Sequence, residues 1–195
     1  MLVGFTSKGV CALAIFIGFS LWINFEAKRL EGGLPSESGT ALIGKEPPIF
    51  TLTTTDGHRV SLTDYLHRKN VALVFWASWC GPCRMEMPLL KSFYQKARPM
   101  RDDFEILAVS TDEFADAATG AANGMHLPFP VLVGGEKVAE AYGVAAIPQM
   151  LIIDKSGKVT FGQRGVNIGL KVFLAQSFGL DTKPFLDGPN GAASR

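Results

Sequence analysis

The chain has 195 residues, with 19 Lys and Arg against 18 Asp and Glu and a formal net charge of +1. This near balance gives no support for nucleic-acid binding, which needs a basic surface. Hydrophobic residues make up 47% of the chain, enough for the core of one domain of ordinary size. The three cysteines, Cys11, Cys80 and Cys83, are too few for a disulfide framework and suit one redox pair plus a bystander.

An apolar segment without charged residues covers residues 9–25. As a helix it would span roughly 25 Å, slightly less than a ~30 Å hydrocarbon core, and residues 1–8 can extend it with Lys8 reaching toward the headgroups. A cleaved signal peptide is the alternative, but no small-x-small cleavage site follows the segment. We therefore expect an uncleaved, single-pass transmembrane anchor, whose orientation the flanking basic residues leave open.

The rest of the chain divides by composition. Residues 26–45 are rich in Gly, Ser and Glu and are predicted to be a linker. Residues 46–180 carry the periodic apolar pattern of one folded domain. Residues 181–195 are polar and rich in Gly and Pro, and we expect them to be disordered.

The domain is predicted to open with a β-hairpin, strands 47–52 and 59–62 around the turn Asp56-Gly57. A buried strand over 71–76 follows, then a helix from Pro82 to Ala97 that we expect Pro88 to kink. The remaining elements are predicted in this order: strand 104–110, helix 112–123 stopped by Gly124, extended segment 129–133, helix 136–142 ending at Gly143, strands 150–153 and 158–163, and helix 168–178. The pattern indicates an α/β domain.

The most informative motif is Trp-Cys-Gly-Pro-Cys at residues 79–83, between a predicted strand and a predicted helix. Cys80 therefore stands at a helix N-terminus, where unpaired N–H groups and the helix dipole favour a thiolate. Cys83 lies one helical turn on and can close a small disulfide ring with Cys80. We expect Cys80 to attack, with its sulfur facing solvent, and Cys83 to be more buried and to resolve the mixed disulfide.

Two other interpretations of the cysteine pair are weaker. A structural zinc site needs four Cys or His ligands, whereas His58, His67 and His126 are isolated in the sequence. A static disulfide would leave the strand–helix setting of the motif without a reason. The sequence therefore predicts no metal, and no cofactor other than the redox-active disulfide itself.

Two segments resemble a known family, namely residues 75–88 around the motif and residues 143–159, which contain Ile147-Pro148-Gln149. They are similar to the membrane-anchored, thioredoxin-like thiol–disulfide oxidoreductases TlpA, ResA and DsbE (CcmG), and the likeness covers roughly residues 44–180. The resemblance implies a thioredoxin fold, a central mixed sheet flanked by helices, with an N-terminal β-hairpin extension and a single N-terminal transmembrane helix. It places the catalytic domain outside the cytoplasmic membrane, in the periplasm or at the cell exterior.

The resemblance also implies a substrate surface around the cysteines. Pro148 would be cis, with its loop packed against the disulfide, and it would present the backbone of Ile147 for strand-like pairing with a substrate segment. Trp79 is expected to form part of the substrate-facing surface, and Gly81 and Pro82 set the turn between the cysteines, with proline suited to the first helical position.

Glu86 is the third candidate, three residues after Cys83. The resembled proteins carry a glutamate here that is linked to proton handling, and burial would raise its pKa. Thioredoxin instead places a buried aspartate on the preceding strand, where this chain has Val74, which cannot titrate. The alternative, a surface glutamate paired with Arg84 or Lys91, stays open at this point.

These features predict a thiol–disulfide oxidoreductase that reduces disulfides in extracytoplasmic proteins. The resemblance implies apocytochrome c or copper-site proteins as substrates and a membrane electron donor of the DsbD or CcdA type, and we expect a monomer.

A peroxiredoxin would need Thr or Ser where this chain has Ala77, three residues before Cys80. A copper-delivery protein of this fold would use C-x-x-x-C with a distant histidine. A broad oxidase or isomerase would differ in reduction potential.

Overall fold

A computed structural model of the protein describes residues 40–186. The predicted transmembrane segment at residues 9–25, the segment before it and most of the predicted linker lie outside the described residues, as do residues 187–195 of the predicted tail. Within residues 40–186 no helix is both long and apolar enough to cross a membrane.

One seven-stranded mixed sheet forms the centre of the domain. Its strands are β1 Thr51–Thr54, β2 Arg59–Ser61, β3 Asn70–Trp76, β4 Phe104–Ser110, β5 Val131–Val133, β6 Gln149–Ile153 and β7 Val159–Arg164. They lie in the order β2-β1-β5-β4-β3-β6-β7. The central strands β3, β4 and β5 run parallel, whereas β6 pairs antiparallel with β3. The predicted hairpin is confirmed and adds β1 and β2 at one edge.

Between residues 40 and 186, four α-helices accompany the sheet: α1 Gly81–Ala97, α2 Ala115–Met125, α3 Glu136–Ala141 and α4 Leu170–Ser177. The helix predicted after the cysteine motif is confirmed as α1, which continues through Pro88. Because β3 and β4 are parallel, the loops that follow both strands meet at the same end of the sheet. The start of α1 and the loop before α2 are therefore neighbours at that end.

The apolar run of β3 is buried on both faces of the sheet, as expected for a central strand. Successive side chains of a strand point to opposite faces. One face packs on α1 through Ala72, Val74 and Trp76, with Met87 and Leu90 in the same cluster. The other face joins a second cluster through Val71, Leu73 and Phe75. The two clusters hold the end of β3, and hence the start of α1, from both sides.

The predicted helix over 112–123 is wrong at both ends. α2 begins at Ala115, because Asp112 uses its side chain in hydrogen bonds outside the helix. Gly124 lies inside α2 rather than stopping it. The helix instead ends at His126, whose backbone adopts the left-handed conformation with φ 50° and whose N–H reaches the carbonyl oxygen of Ala122.

The folded domain extends beyond both predicted boundaries. Residues 44 and 45, predicted to be linker, hydrogen-bond to Val159 of β7 at 2.7 and 2.9 Å. At the other end, Lys183–Phe185 forms a 3-10 turn within the segment predicted to be disordered. Phe185 is 3% exposed, with its ring centroid 5.1 Å from that of Phe93. The apolar contact of Phe185 outweighs the polar composition around it.

Candidate active site

Cys80 and Cys83 form a disulfide at the start of α1. Cys80 is the residue that caps the helix, and its Cα lies 5.2 Å from that of Cys83. A tight turn leads from β3 to this position, since the Cys80 N–H donates to the carbonyl oxygen of Ala77 at 3.2 Å. The backbone N–H of Cys83 donates to the Cys80 sulfur at 3.2 Å. A negative charge on the Cys80 sulfur would therefore meet a helix N-terminal donor directly.

The sulfur of Cys80 is more covered than the sequence predicted. Cys80 is only 5% exposed and Cys83 is fully buried, so the expected order of exposure holds but Cys80 does not face solvent in this disulfide form. The carbonyl oxygen of Ile147 lies 3.9 Å from the Cys80 sulfur and covers it from the neighbouring loop. A partner must therefore approach through the small opening that remains at Cys80.

The Ile147–Pro148 peptide bond is cis, as the resemblance implied. Pro148 immediately precedes β6, which pairs antiparallel with β3. The backbone N–H of Gly165 donates to the Pro148 carbonyl oxygen at 2.8 Å and ties a second loop to this one. The arrangement brings the backbone of Ile147 beside the reactive pair.

Exposed surface surrounds the covered sulfurs. Trp79 is 73% exposed, and Gly81 and Pro82 are exposed at the start of α1. A shallow groove of about 470 Å³ lies beside them and is lined by Trp79 and Ile147 together with Glu136 and Glu140. Of the predicted substrate-facing residues, Trp79 and Ile147 thus line the same groove, and a protein segment could contact both.

Glu86 is buried in α1, three residues after Cys83. It is 2% exposed, and its Oε1 accepts a hydrogen bond from the backbone N–H of Asn167 at 3.5 Å. Burial raises the pKa of Glu86 to about 7, while the Asn167 hydrogen bond acts in the opposite direction. The alternative of a surface glutamate is therefore wrong, and Lys91 instead donates to the Met125 carbonyl oxygen at 2.8 Å. A carboxyl group with this pKa can gain or lose a proton near neutral pH.

Sequence analysis missed a buried carboxylate next to the motif. Asp112 is 3% exposed and accepts hydrogen bonds from Ser78, two residues before Cys80. The sequence carries only part of the signal: polar residues directly follow the buried strand 104–110, but the parallel pairing of β4 with β3 is what brings them beside the cysteines. Carboxyl ends of adjacent parallel strands meet at one edge of the sheet.

The histidines weighed as zinc ligands do not complete a metal site with the cysteines. Among residues 40–186 no group of three or more His, Cys, Asp or Glu side chains is placed to hold a metal ion. A larger cavity of about 700 Å³ lies between the hairpin and the end of α2, lined in part by His58 and His126. It contains none of the residues predicted for the reaction.

Fold and site together define a thioredoxin-like thiol–disulfide oxidoreductase. The chain belongs to the Redoxin family, whose model matches residues 42–175, and within it to the ResA thiol-disulfide oxidoreductases. The thiol-disulfide oxidoreductase ResA of Bacillus thuringiensis (strain Al Hakam) is 37% identical over 144 residues, which cover 73% of this chain and 76% of that protein. ResA of Bacillus subtilis (strain 168) is 34% identical over 117 residues, covering 60% and 64%.

Solved structures agree with this assignment. A crystal structure described as a thiol:disulfide interchange protein DsbE from Chlorobium tepidum has 31% identity and a TM-score of 0.60, covering 68% of this chain and 92% of its own. StoA from Bacillus subtilis has a TM-score of 0.56 at 22% identity, covering 66% and 97%, and supports the fold alone. The predicted mixed sheet of a thioredoxin-like α/β fold is confirmed.

Proposed function

We propose that this enzyme reduces disulfide bonds in extracytoplasmic proteins through the Cys80–Cys83 pair. The observation that carries the proposal is the position of Cys80 at the start of α1, with a backbone N–H donor on its sulfur. Cys83 is fully buried one turn on, out of reach of a substrate but within reach of Cys80. This asymmetry suits an attacking and a resolving sulfur.

The reaction runs in two exchange steps. The Cys80 thiolate attacks one sulfur of the substrate disulfide, forms a mixed disulfide and releases the first substrate thiolate. Cys83, as thiolate, then attacks the Cys80 sulfur, releases the second substrate thiolate and closes the Cys80–Cys83 disulfide. Two electrons pass from the enzyme to the substrate. The two protons lost by the cysteines are matched by two taken up by the substrate thiols.

Glu86 is proposed to handle the proton of the resolving step. Its pKa of about 7 lets it accept a proton near neutral pH, and it lies in the same helix as Cys83, one turn further on. Val74, which cannot titrate, occupies the buried position on β3 where thioredoxin has an aspartate. What supports this role is that Glu86 is a buried carboxyl group on α1, three residues after Cys83.

The substrates, the electron donor and the location are proposed from the resemblance of residues 75–88 and 143–159. We propose apocytochrome c or copper-site proteins as substrates, and a membrane donor of the DsbD or CcdA type that returns electrons to Cys80–Cys83. We propose that residues 9–25 anchor the enzyme in the cytoplasmic membrane, with the domain on the outer side. An anchor raises the effective concentration of a membrane donor.

Trapping of substrates in the full-length chain tests this proposal. In Cys83→Ala the attacking thiolate remains but the resolving sulfur is missing, so mixed disulfides on Cys80 should accumulate and mass spectrometry should identify extracytoplasmic proteins. Cys80→Ala is the matched control and should trap none of them. Equal trapping by Cys80→Ala would contradict the assignment of the attacking sulfur, and cytoplasmic partners alone would contradict the location.

A further inference from the structure

Asp112 is a buried acidic residue that the exchange steps do not use. It follows β4 and is 3% exposed. Its Oδ2 accepts from the Ser78 backbone N–H at 2.9 Å and from the Ser110 hydroxyl at 2.7 Å, and its Oδ1 accepts from the Ser78 hydroxyl at 2.7 Å. All three donors are neutral. These hydrogen bonds offset the cost of burying the carboxyl group, and they engage both of its oxygens.

Ser78 links this carboxylate to the reactive cysteine. It lies in the tight turn between β3 and α1, in which the Cys80 N–H bonds to the Ala77 carbonyl oxygen. Just before the turn, the carbonyl oxygen of Trp76 accepts from the Thr111 N–H at 2.9 Å and from the Thr111 hydroxyl at 3.2 Å. Trp76 and Ser78, on either side of Ala77, are thus hydrogen-bonded to Thr111 and Asp112.

Asp112 is also hydrogen-bonded to Ser110, the last residue of β4. The Ser110 hydroxyl, which donates to Asp112, also accepts from the Asp112 backbone N–H at 3.0 Å. The Ser110 carbonyl oxygen accepts from the Gly135 N–H at 3.0 Å, which ties the start of α3 to the same point. Asp112 therefore joins a rigid strand end to the one turn that carries Trp79 and Cys80.

We propose that Asp112 is a positioning residue for the exchange reaction: through Ser78 it holds the turn that places the Cys80 sulfur against the first N–H groups of α1. The inference concerns the established exchange chemistry and does not depend on the substrates proposed above. Asp112 touches neither sulfur in this role. It acts by keeping Cys80 where the helix start can stabilise its thiolate.

Positioning and simple electrostatics predict opposite results for Asp112→Asn. If the carboxylate acted mainly as a nearby negative charge, its removal would favour the Cys80 thiolate and speed its reaction. If it positions Cys80, its removal loosens the turn and slows the reaction. Ser78→Ala leaves the charge in place but removes one of the hydrogen bonds, so only positioning predicts an effect.

The test measures alkylation of Cys80 by iodoacetamide in the reduced full-length chain, followed by peptide mass spectrometry. We expect Asp112→Asn to slow alkylation at pH 7 roughly tenfold and Ser78→Ala to slow it by a smaller factor. The double variant should react like Asp112→Asn alone, because both changes break one network. Ser78→Thr keeps the hydroxyl and should restore most of the rate.

The β6–β7 turn offers a matched control. There Ser156 donates its N–H and its hydroxyl to Asp154, the same bond pattern at the opposite end of β3. Ser156→Ala should leave the Cys80 alkylation rate unchanged. An Asp112→Asn rate equal to or above that of the wild type would overturn the proposal. So would unchanged alkylation in Ser78→Ala, the milder variant that keeps the test valid should Asp112→Asn fail to fold.

Discussion

At the scale of single residues, burial decides what Glu86 can do. Its pKa moves from 4.5 to about 7, so between these pH values the folded protein keeps a proton that the unfolded chain has lost. The free energy of unfolding must therefore fall as pH rises through this window. The full loss, roughly 3 kcal/mol, is reached above pH 7.

Glu86→Gln should remove this pH dependence, because the neutral amide cannot ionise. We expect the oxidised variant to unfold at the same denaturant concentration as the wild type near pH 4. At pH 8 it should be more stable by up to roughly 3 kcal/mol. Urea unfolding at the two pH values measures the difference.

The exposed residue Glu113 provides the control for charge removal. Glu113→Gln changes the net charge equally and should leave the pH dependence of unfolding as it is in the wild type. A Glu86→Gln stability difference that is the same at pH 4 and pH 8 would contradict the burial argument.

At the scale of elements, a close contact between β4 and the start of α3 positions the helix that lines one side of the groove beside Trp79. A Cβ added to Gly135 would lie 2.5 Å from the Ser110 carbonyl oxygen and 2.3 Å from the Val109 side chain. Backbone and a buried strand residue cannot move aside cheaply. Glycine at this position lets α3, which carries Glu136 and Glu140, approach the end of β4.

Gly135→Ala should therefore destabilise the protein by roughly 1–3 kcal/mol. Gly120 in α2 is the matched case, because a Cβ there meets nothing within 4 Å. Gly120→Ala should instead stabilise by roughly 0.5–1 kcal/mol, since alanine is the better helix former. Thermal unfolding of both variants measures the signs. Equal effects at the two positions would contradict the close approach at Gly135.

Elements were predictable from the sequence where their signal is local. The apolar run of β3, the turn Asp56-Gly57 and the start of α1 at the cysteines follow from residues next to one another. The start of α2 could not be predicted in this way, because an acidic residue such as Asp112 is typical of the first turn of a helix. Only the pairing of β3 with β4 reveals that its side chain is engaged with Ser78.

At the scale of the whole molecule, contacts between residues far apart in the chain decide which side chains are buried, and these contacts could not be predicted from the sequence. The disulfide and the resemblance around Pro148 could be inferred from motifs. The burial of Phe185 against Phe93 could not, because a single aromatic residue in a polar tail carries no periodic pattern. Ile147 and Cys80 are also far apart in the chain, yet the carbonyl oxygen of Ile147 lies against the Cys80 sulfur. The solvent exposure expected for Cys80 was therefore wrong.

Insulin reduction by the purified full-length chain, with dithiothreitol as electron source, tests the central claim most directly. We expect the wild type to reduce insulin faster than dithiothreitol alone, whereas Cys80→Ala should not exceed that background. The contradicting result is a wild type no faster than Cys80→Ala while thiol titration of the denatured protein finds both Cys80 and Cys83 reduced.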